Sequence, residues 1–242
     1  MKTYFVISDV HGFYDEMVEA LTRNGFDYSN PDHILISCGD LLDRGPKPKE
    51  CIDYVMGLDS DRRILVRGNH EQLMFDMVMQ ARITSADHHN GTVQTAKDLT
   101  GESFPEIAIM EMHNCKTWWN YWDSLVDYAE IKEIGYVFVH GWIPTHFTFG
   151  GRPFLFDDWR NGDWKEAAWL NGMEMWSCGV SLRNEVVVCG HWHTAWGNTE
   201  LHHFPGHLAQ NQYYVPFIDD GIIALDACTA LTHMINVLVI EN

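Results

Sequence analysis

Five apolar, strand-like runs in this chain end alike, each in a glycine-flanked cluster of Asp, His, Asn or Arg. That repetition constrains the fold more than any other feature. TYFVIS, a short buried strand, runs into Ser8-Asp9-Val10-His11-Gly12, and HILIS into Gly39-Asp40-Leu41-Leu42-Asp43-Arg44-Gly45. RRILVR leads to Arg67-Gly68-Asn69-His70-Glu71, YVFVH to His140-Gly141, and EVVVCG to Gly190-His191-Trp192-His193. In α/β sheets ligands bind outside the carboxyl ends of strands, so five such ends can converge on one spot. Any one of these residues alone reads equally well as structural: Asp9 as a helix cap, Asn69 as a turn former, His140 as a satisfied core histidine. Five together do not.

Between the first three runs lie helical periods. Tyr14 to Asn24 is closed by Gly25, and a second helix is opened by Pro46 and Pro48, with Cys51, Ile52, Val55 and Leu58 on one face. A third runs from Glu71 to about Arg82, with Met74, Met77, Val78 and Ala81 directed to the core. Strand and helix alternating at short spacing predict an α/β domain with parallel strands. Residues 83–130 break the rhythm and read as a helical insertion covering an edge. Later runs, including Ile222–Ala227 and His233–Glu241, lack long helices between them and predict a second, more antiparallel sheet. With no repeat, linker or low-complexity tract, residues 1–242 read as a single domain.

The charge balance narrows the function. Sixteen Lys and Arg against 34 Asp and Glu give a net charge of −18, with a pI near 5.0. Such a chain repels phosphate backbones and anionic membranes at long range, so neither nucleic-acid nor membrane binding is expected. A phosphorylated substrate stays open, because bound metal reverses the field locally. Fourteen His suit a metal protein. The six Cys form no C-x-x-C pair and read as reduced thiols. No apolar run is long enough for a signal peptide or membrane span, which makes the cytoplasm the expected compartment.

The series D-x-H-G, G-D-x-x-D-R-G, G-N-H-E and two later His resembles the PPP-type serine/threonine phosphatases of the calcineurin-like metallophosphoesterase superfamily. ISCGDLLDRG and LVRGNHEQLM are most similar to the bacterial and phage, lambda phosphatase-like branch. The tight match covers about residues 4–82. The resemblance implies a β-sandwich of two mixed sheets flanked by helices (α/β/β/α), with a dinuclear metal site at the carboxyl ends of strands. It implies that Asp9 and His11 bind one metal, that Asp40 bridges, and that Asn69, His140 and His191 bind the second. Oxygen and imidazole ligands suit two divalent transition metals, Mn²⁺ first, with Fe or Zn possible. A metal-bridging hydroxide would attack phosphorus in line, Arg44 would pair with the phosphate, and His70, oriented by Asp43, would protonate the leaving oxygen.

Two departures stand out. Where the PPP branch has a GHT-like motif, this chain has Gly190-His191-Trp192-His193-Thr194. The wider superfamily has G-H-x-H, and alternation along an extended segment would place both rings on one side, adding His193 as a ligand. The second phosphate-binding Arg of the PPP branch has no convincing match among Arg152, Arg160 and Arg183, while Arg67 reads equally as a phosphate contact or an ion pair. Trp159, Trp164, Trp169 and Trp176 read first as packing residues and second as a stacking wall. His88-His89 and His202-His203 read as solvated.

The function implied is a metal-dependent phosphomonoesterase acting on phosphoserine or phosphothreonine in proteins. The alternative is hydrolysis of dinucleoside polyphosphates, of the diadenosine tetraphosphate type, or of other nucleotides. A non-catalytic scaffold is disfavoured because Asp43, Arg44, His70 and every expected ligand are retained. The partner is thus a phosphorylated protein or a small phosphoester.

Overall fold

The computed structural model describes residues 1–205 and 210–242. Its first half follows the alternation in the sequence. Strands β1 (Thr3–Ile7), β2 (His33–Ser37) and β3 (Arg63–Val66) are joined by helices α1 (Tyr14–Arg23) and α2 (Pro48–Met56), and α3 (Asn69–Gln80) leaves the third strand. The three strands pair in parallel, Phe5 opposite Leu35 and Ile36 opposite Ile64. Pro48 opens α2, where its missing N–H costs nothing; Pro46 lies outside the helix.

Four helices fill the stretch that lacks strand patterning: α4 (Ser85–Asn90), α5 (Thr92–Thr100), α6 (Pro105–Met112) and α7 (Lys116–Trp122). The chain then lays down β4 (Leu125–Val126), β5 (Ala129–Ile131), β6 (Tyr136–Phe138) and a hairpin of β7 (Thr145–Phe147) and β8 (Pro153–Leu155). Short helices α8 (Trp164–Ala167) and α9 (Gly172–Ser177) precede β9 (Val186–Cys189) and α10 (Thr194–Glu200). The last elements are β10 (Phe217–Asp219), β11 (Ile222–Ala224), α11 (Thr229–Thr232) and β12 (Leu238–Glu241).

One sheet has the order β12-β1-β2-β3-β4, the other β10-β11-β9-β6-β5. Both are mixed. In the second, β6, β9 and β11 are parallel and the edges β5 and β10 antiparallel, so it is the more antiparallel of the two, as its sparse helices suggested. The final run corrects that expectation in part. Its β12 leaves the second sheet and pairs antiparallel with β1, Tyr4 opposite Ile240. β1 is apolar on both faces and would otherwise present an open edge.

Alternation along the strands sorts the core into layers. Phe5, Ile7, Leu35 and Leu65 pack under the helices against Met17, Leu21, Ile52, Val55 and Met74. Tyr4, Val6, Ile34, Ile36 and Val66 meet Phe138, Val188, Ile223 and Leu225 between the sheets. Val137, Val187 and Ile222 face outward onto Trp142, Met173 and Met175. The result is an α/β fold of two mixed sheets flanked by helices. Among the described residues, no helix is long and apolar enough to cross a membrane.

Candidate metal centre and cleft

Because β1, β2 and β3 run parallel, and β6, β9 and β11 likewise, six carboxyl ends deliver side chains to one edge of the sandwich. Asp9, Asp40, Asn69, His140, His191 and Asp226 each lie two or three residues beyond a strand. The chain turns there through left-handed backbone. Asp9, His11, Asp40, Asp43, Arg44 and His191 have φ of 50–70°. For non-glycine residues this conformation costs free energy and persists only where surrounding structure imposes it, which is a common property of functional sites. Two glycines permit the close approach of these loops. A Cβ on Gly68 would sit 2.1 Å from Asp40 Oδ1, and one on Gly190 would sit 1.8 Å from Ser8 Oγ.

Glu71 ties the loops together. Its buried carboxylate accepts N–H bonds from Gly68 at 2.9 Å, Asp40 at 3.0 Å and Leu41 at 2.9 Å, and the Tyr121 hydroxyl at 3.1 Å. Asp40 in turn accepts from the His70 backbone N–H at 2.9 Å.

Donor atoms lying within 4.8 Å of one another form two groups, buried His11, Asp40 and His70, and buried Asp40 and His140 with half-buried His191. Asp40 belongs to both, and Asn69 Oδ1 lies 2.7 Å from His140 Nε2. His11 and His140 each place Nδ1 on a backbone carbonyl, Leu42 O at 2.9 Å and Cys38 O at 2.8 Å. That bond takes an Nδ1–H and turns Nε2 inward, with a lone pair on neutral His11 and on His140 once its Nε2 proton leaves, the arrangement expected of metal-ligating imidazoles. Asp9 lies beneath, accepting the Ser8 hydroxyl and, at 2.9 Å, the His191 N–H.

The electrostatics fit a cation. Burial, followed by the Asp226 carboxylate, pushes the Asp9 carboxyl up to about 8. Burial lowers His11 to about 3 and His191 to about 4, so both are neutral at pH 7. Burial also opposes charge on His140, but Asp40 overrides it and raises that ring to about 10, while Asp40 itself is held well below its usual value. Crowded buried carboxylates and neutral imidazoles are the donor set of a divalent transition metal.

His193 departs from its expected geometry. β9 ends at Cys189, His191 is left-handed, and His193 caps α10, so strand alternation does not extend to it. Its ring still lines the cleft, but Nδ1 lies 2.8 Å from Asp226, the side chain is 45% exposed, and neither donor group includes it. Asp226 was missed in the sequence. The signal was there: like Asp9 and Asp40, it follows an apolar run.

Asp43, Arg44 and His70 come together as expected. His70 Nδ1 is 2.8 Å from Asp43 Oδ2, and its Nε2 is 3.1 Å from Arg44 Nη2. Burial works against a charged His70, but the Asp40 carboxylate and the bond to Asp43 outweigh it and raise its pKa.

These groups open onto a cleft of about 410 Å³. The first sheet's loops and helices contribute Arg44, His70, Leu73 and Asn90, and the second sheet's side contributes Trp169, His191, Trp192 and His193. Of the expected tryptophans only Trp169 reaches it. Trp159 and Trp164 pack on Tyr128, and Trp176 on Phe217. Trp192 was not anticipated. Among the described residues, Arg44 is the one Arg or Lys on the lining. Arg67 instead pairs with Asp127 beneath the Trp122 ring, and Arg160 pairs with Glu130. His202 is not merely solvated, since its ring stacks on Phe217 at 4.3 Å.

A family profile described as calcineurin-like phosphoesterase matches residues 2–195. The chain belongs to the calcineurin-like phosphoesterases. Within the family, the asymmetrical bis(5′-nucleosyl)-tetraphosphatase of Bacillus subtilis (strain 168) is 42% identical over 74 residues, covering 28% of this chain and 30% of that protein. The symmetrical enzyme of Klebsiella pneumoniae (strain 342) is 45% identical over 71 residues, 29% of this chain and 24% of that one. The chain thus matches less than a third of the length of these relatives. Across the whole fold, a crystal structure provisionally assigned as a diadenosine tetraphosphatase superposes with a TM-score of 0.57 at 16% identity, covering 99% of this chain and 90% of that one. A cold-active protein-tyrosine phosphatase of a psychrophilic Shewanella gives 0.55 at 16% identity, covering 100% and 76%. These two share the fold. The superfamily expected from the motifs is therefore correct, and the named sequence relatives are nucleosyl-tetraphosphatases rather than members of a lambda phosphatase-like branch.

Proposed function

We propose that this calcineurin-like phosphoesterase is a metal-dependent hydrolase of dinucleoside polyphosphates of the diadenosine tetraphosphate type. One observation carries the substrate class. Two indoles, Trp169 at 49% and Trp192 at 42% exposure, line the same cleft as the buried His/Asp floor. Exposed indoles offer flat faces for nucleobases, and base–aromatic stacking is worth roughly 1–3 kcal/mol per base. The nucleosyl-tetraphosphatase relatives support the same reading.

In this reading Asp9 and His11 hold one cation, Asp40 both, and Asn69, His140 and His191 the other, with Mn²⁺ the first choice. His193 joins through Nε2, oriented from Nδ1 by Asp226 as backbone carbonyls orient His11 and His140. Bound there, the cations supply the charge that draws in phosphoryl oxygens and acidifies nearby water. Arg44 offers its planar fork to the phosphate, and His70 delivers a proton to the leaving oxygen while Asp43 holds its Nδ1.

The test compares diadenosine tetraphosphate with a phosphoserine peptide under the same Mn²⁺ concentration, in wild type and in Trp169→Ala. The expected result is a higher kcat/KM on the dinucleotide, with Trp169→Ala raising KM about 10-fold on it and much less on the peptide. A faster peptide reaction indifferent to Trp169 would replace this substrate class with the phosphoprotein class that the PPP resemblance implies.

A further inference from the structure

We propose that Thr92 and Thr95 of α5 are positioning residues for the Asp43–His70 pair, so that the helical segment between α3 and β4 completes the catalytic site. The inference rests on His70 acting as the proton donor. Thr95 Oγ1 donates to Asp43 Oδ1 at 2.7 Å, and Thr92 Oγ1 donates to Asp43 Oδ2 at 2.8 Å, the oxygen that also faces His70 Nδ1. Both threonines are buried, 0% and 1% exposed. Three residues apart, they lie on one helix face.

A buried threonine in a helix usually returns its hydroxyl to a carbonyl one turn back. Thr100 of the same helix does so, donating to Ala96 O at 2.8 Å. Thr92 and Thr95 instead spend their hydroxyls on a carboxylate 49 and 52 residues away in sequence. Thr92 is the first residue of α5, so the carboxylate also lies near the positive end of that helix. The turn before it presses on the same loop. Gly91 has φ +91°, and a Cβ there would sit 2.5 Å from Arg44 N. The Asp43 side chain is therefore held by three donors from two elements, which fixes its plane and, through it, the tilt of the His70 ring.

The experiment compares wild type, Thr92→Val/Thr95→Val, Thr95→Ala, Thr95→Ser and His70→Asn in Mn²⁺-loaded enzyme of measured metal content. Each is assayed on p-nitrophenyl phosphate and on phenyl phosphate, whose leaving oxygen is far more basic and depends more on a proton donor. The double variant should lose about 10-fold in kcat on phenyl phosphate, the size of one hydrogen bond to a charged group, with a smaller loss on p-nitrophenyl phosphate and little change in KM. Thr95→Ser, which keeps the hydroxyl, should restore most of the single-site loss seen in Thr95→Ala. If the double valine variant fails to fold, the Thr95 pair of variants carries the same comparison. In metal-free protein labelled with ¹⁵N-histidine, the hydrogen-bonded Nδ1 proton of His70 should broaden in the valine variants and persist in Thr95→Ser. Equal losses on both substrates, while His70→Asn keeps its leaving-group bias, would overturn the positioning role and leave His70 as the acid. Absence of that bias in His70→Asn itself would remove the acid, and the positioning role with it.

Discussion

At the scale of single residues, the site is organised by which imidazole nitrogen is already engaged. His11 and His140 spend Nδ1 on backbone carbonyls, and His193 spends it on Asp226. If His193 ligates through Nε2, His193→Ala should raise the Mn²⁺ concentration needed for half-maximal activity by at least about 10-fold, the lower end of what even indirect partners cost. Unchanged metal dependence would leave His193 as a rim residue paired with Asp226. A second consequence concerns protons. Asp9 at about 8 and His140 at about 10 hold protons at pH 7, whereas His11 and His191 are already neutral. Ligands must be deprotonated to bind, so metal uptake should release about two protons per chain at pH 7, from Asp9 and His140. His193, raised to about 10 by its bond to Asp226, adds a third if that ring ligates, and affinity should climb as pH rises toward 8. Calorimetric titration in two buffers of different ionisation enthalpy counts these protons. A count of zero would contradict the ligand roles of Asp9 and His140.

At the scale of elements, the loops after β2 and β3 are held less by their own sequence than by Glu71, the third residue of α3. Its two oxygens accept four bonds while fully buried, and burial raises its pKa. Glu71→Gln turns an amide N–H₂ toward N–H donors and leaves at least one of them unpaired. A buried unsatisfied polar group costs about 1–3 kcal/mol, so Glu71→Gln should lower urea stability by that amount and weaken metal binding together with it. Measuring both on the same protein checks the link, and a stable variant with reduced metal affinity would break it. The element scale is also where the sequence was least informative. Strands flanking β1 were legible because apolar runs buried on both faces read continuously. The partnership of β12 with β1 was not, because it joins the two ends of the chain and no local pattern encodes it. The contacts of Thr92 and Thr95 with Asp43 were hidden for the same reason.

At the scale of the whole molecule, two mixed sheets point six strand ends at one edge, and the net charge of −18 is set against one cleft arginine and a floor built for cations. The motif residues Asp9, His11, Asp40, Asn69, His140 and His191 were legible because each follows a strand and parallel strands end together. His193 was placed by an alternation that stops at Cys189, and Asp226 was overlooked although it too follows a strand. Trp169 was legible only as one of four alike tryptophans, since nothing local distinguishes a rim indole from a packed one. The central claim is that this floor holds two cations and that phosphoester cleavage depends on them. Metal content by elemental analysis, with p-nitrophenyl phosphate hydrolysis followed on the same sample through chelation and Mn²⁺ readdition, tests it most directly. About two metal ions per chain, activity abolished by EDTA and restored by Mn²⁺, and Asp40→Asn as the most damaging single ligand change are the expected results. Full activity in excess EDTA, with metal absent from the protein, would contradict the account.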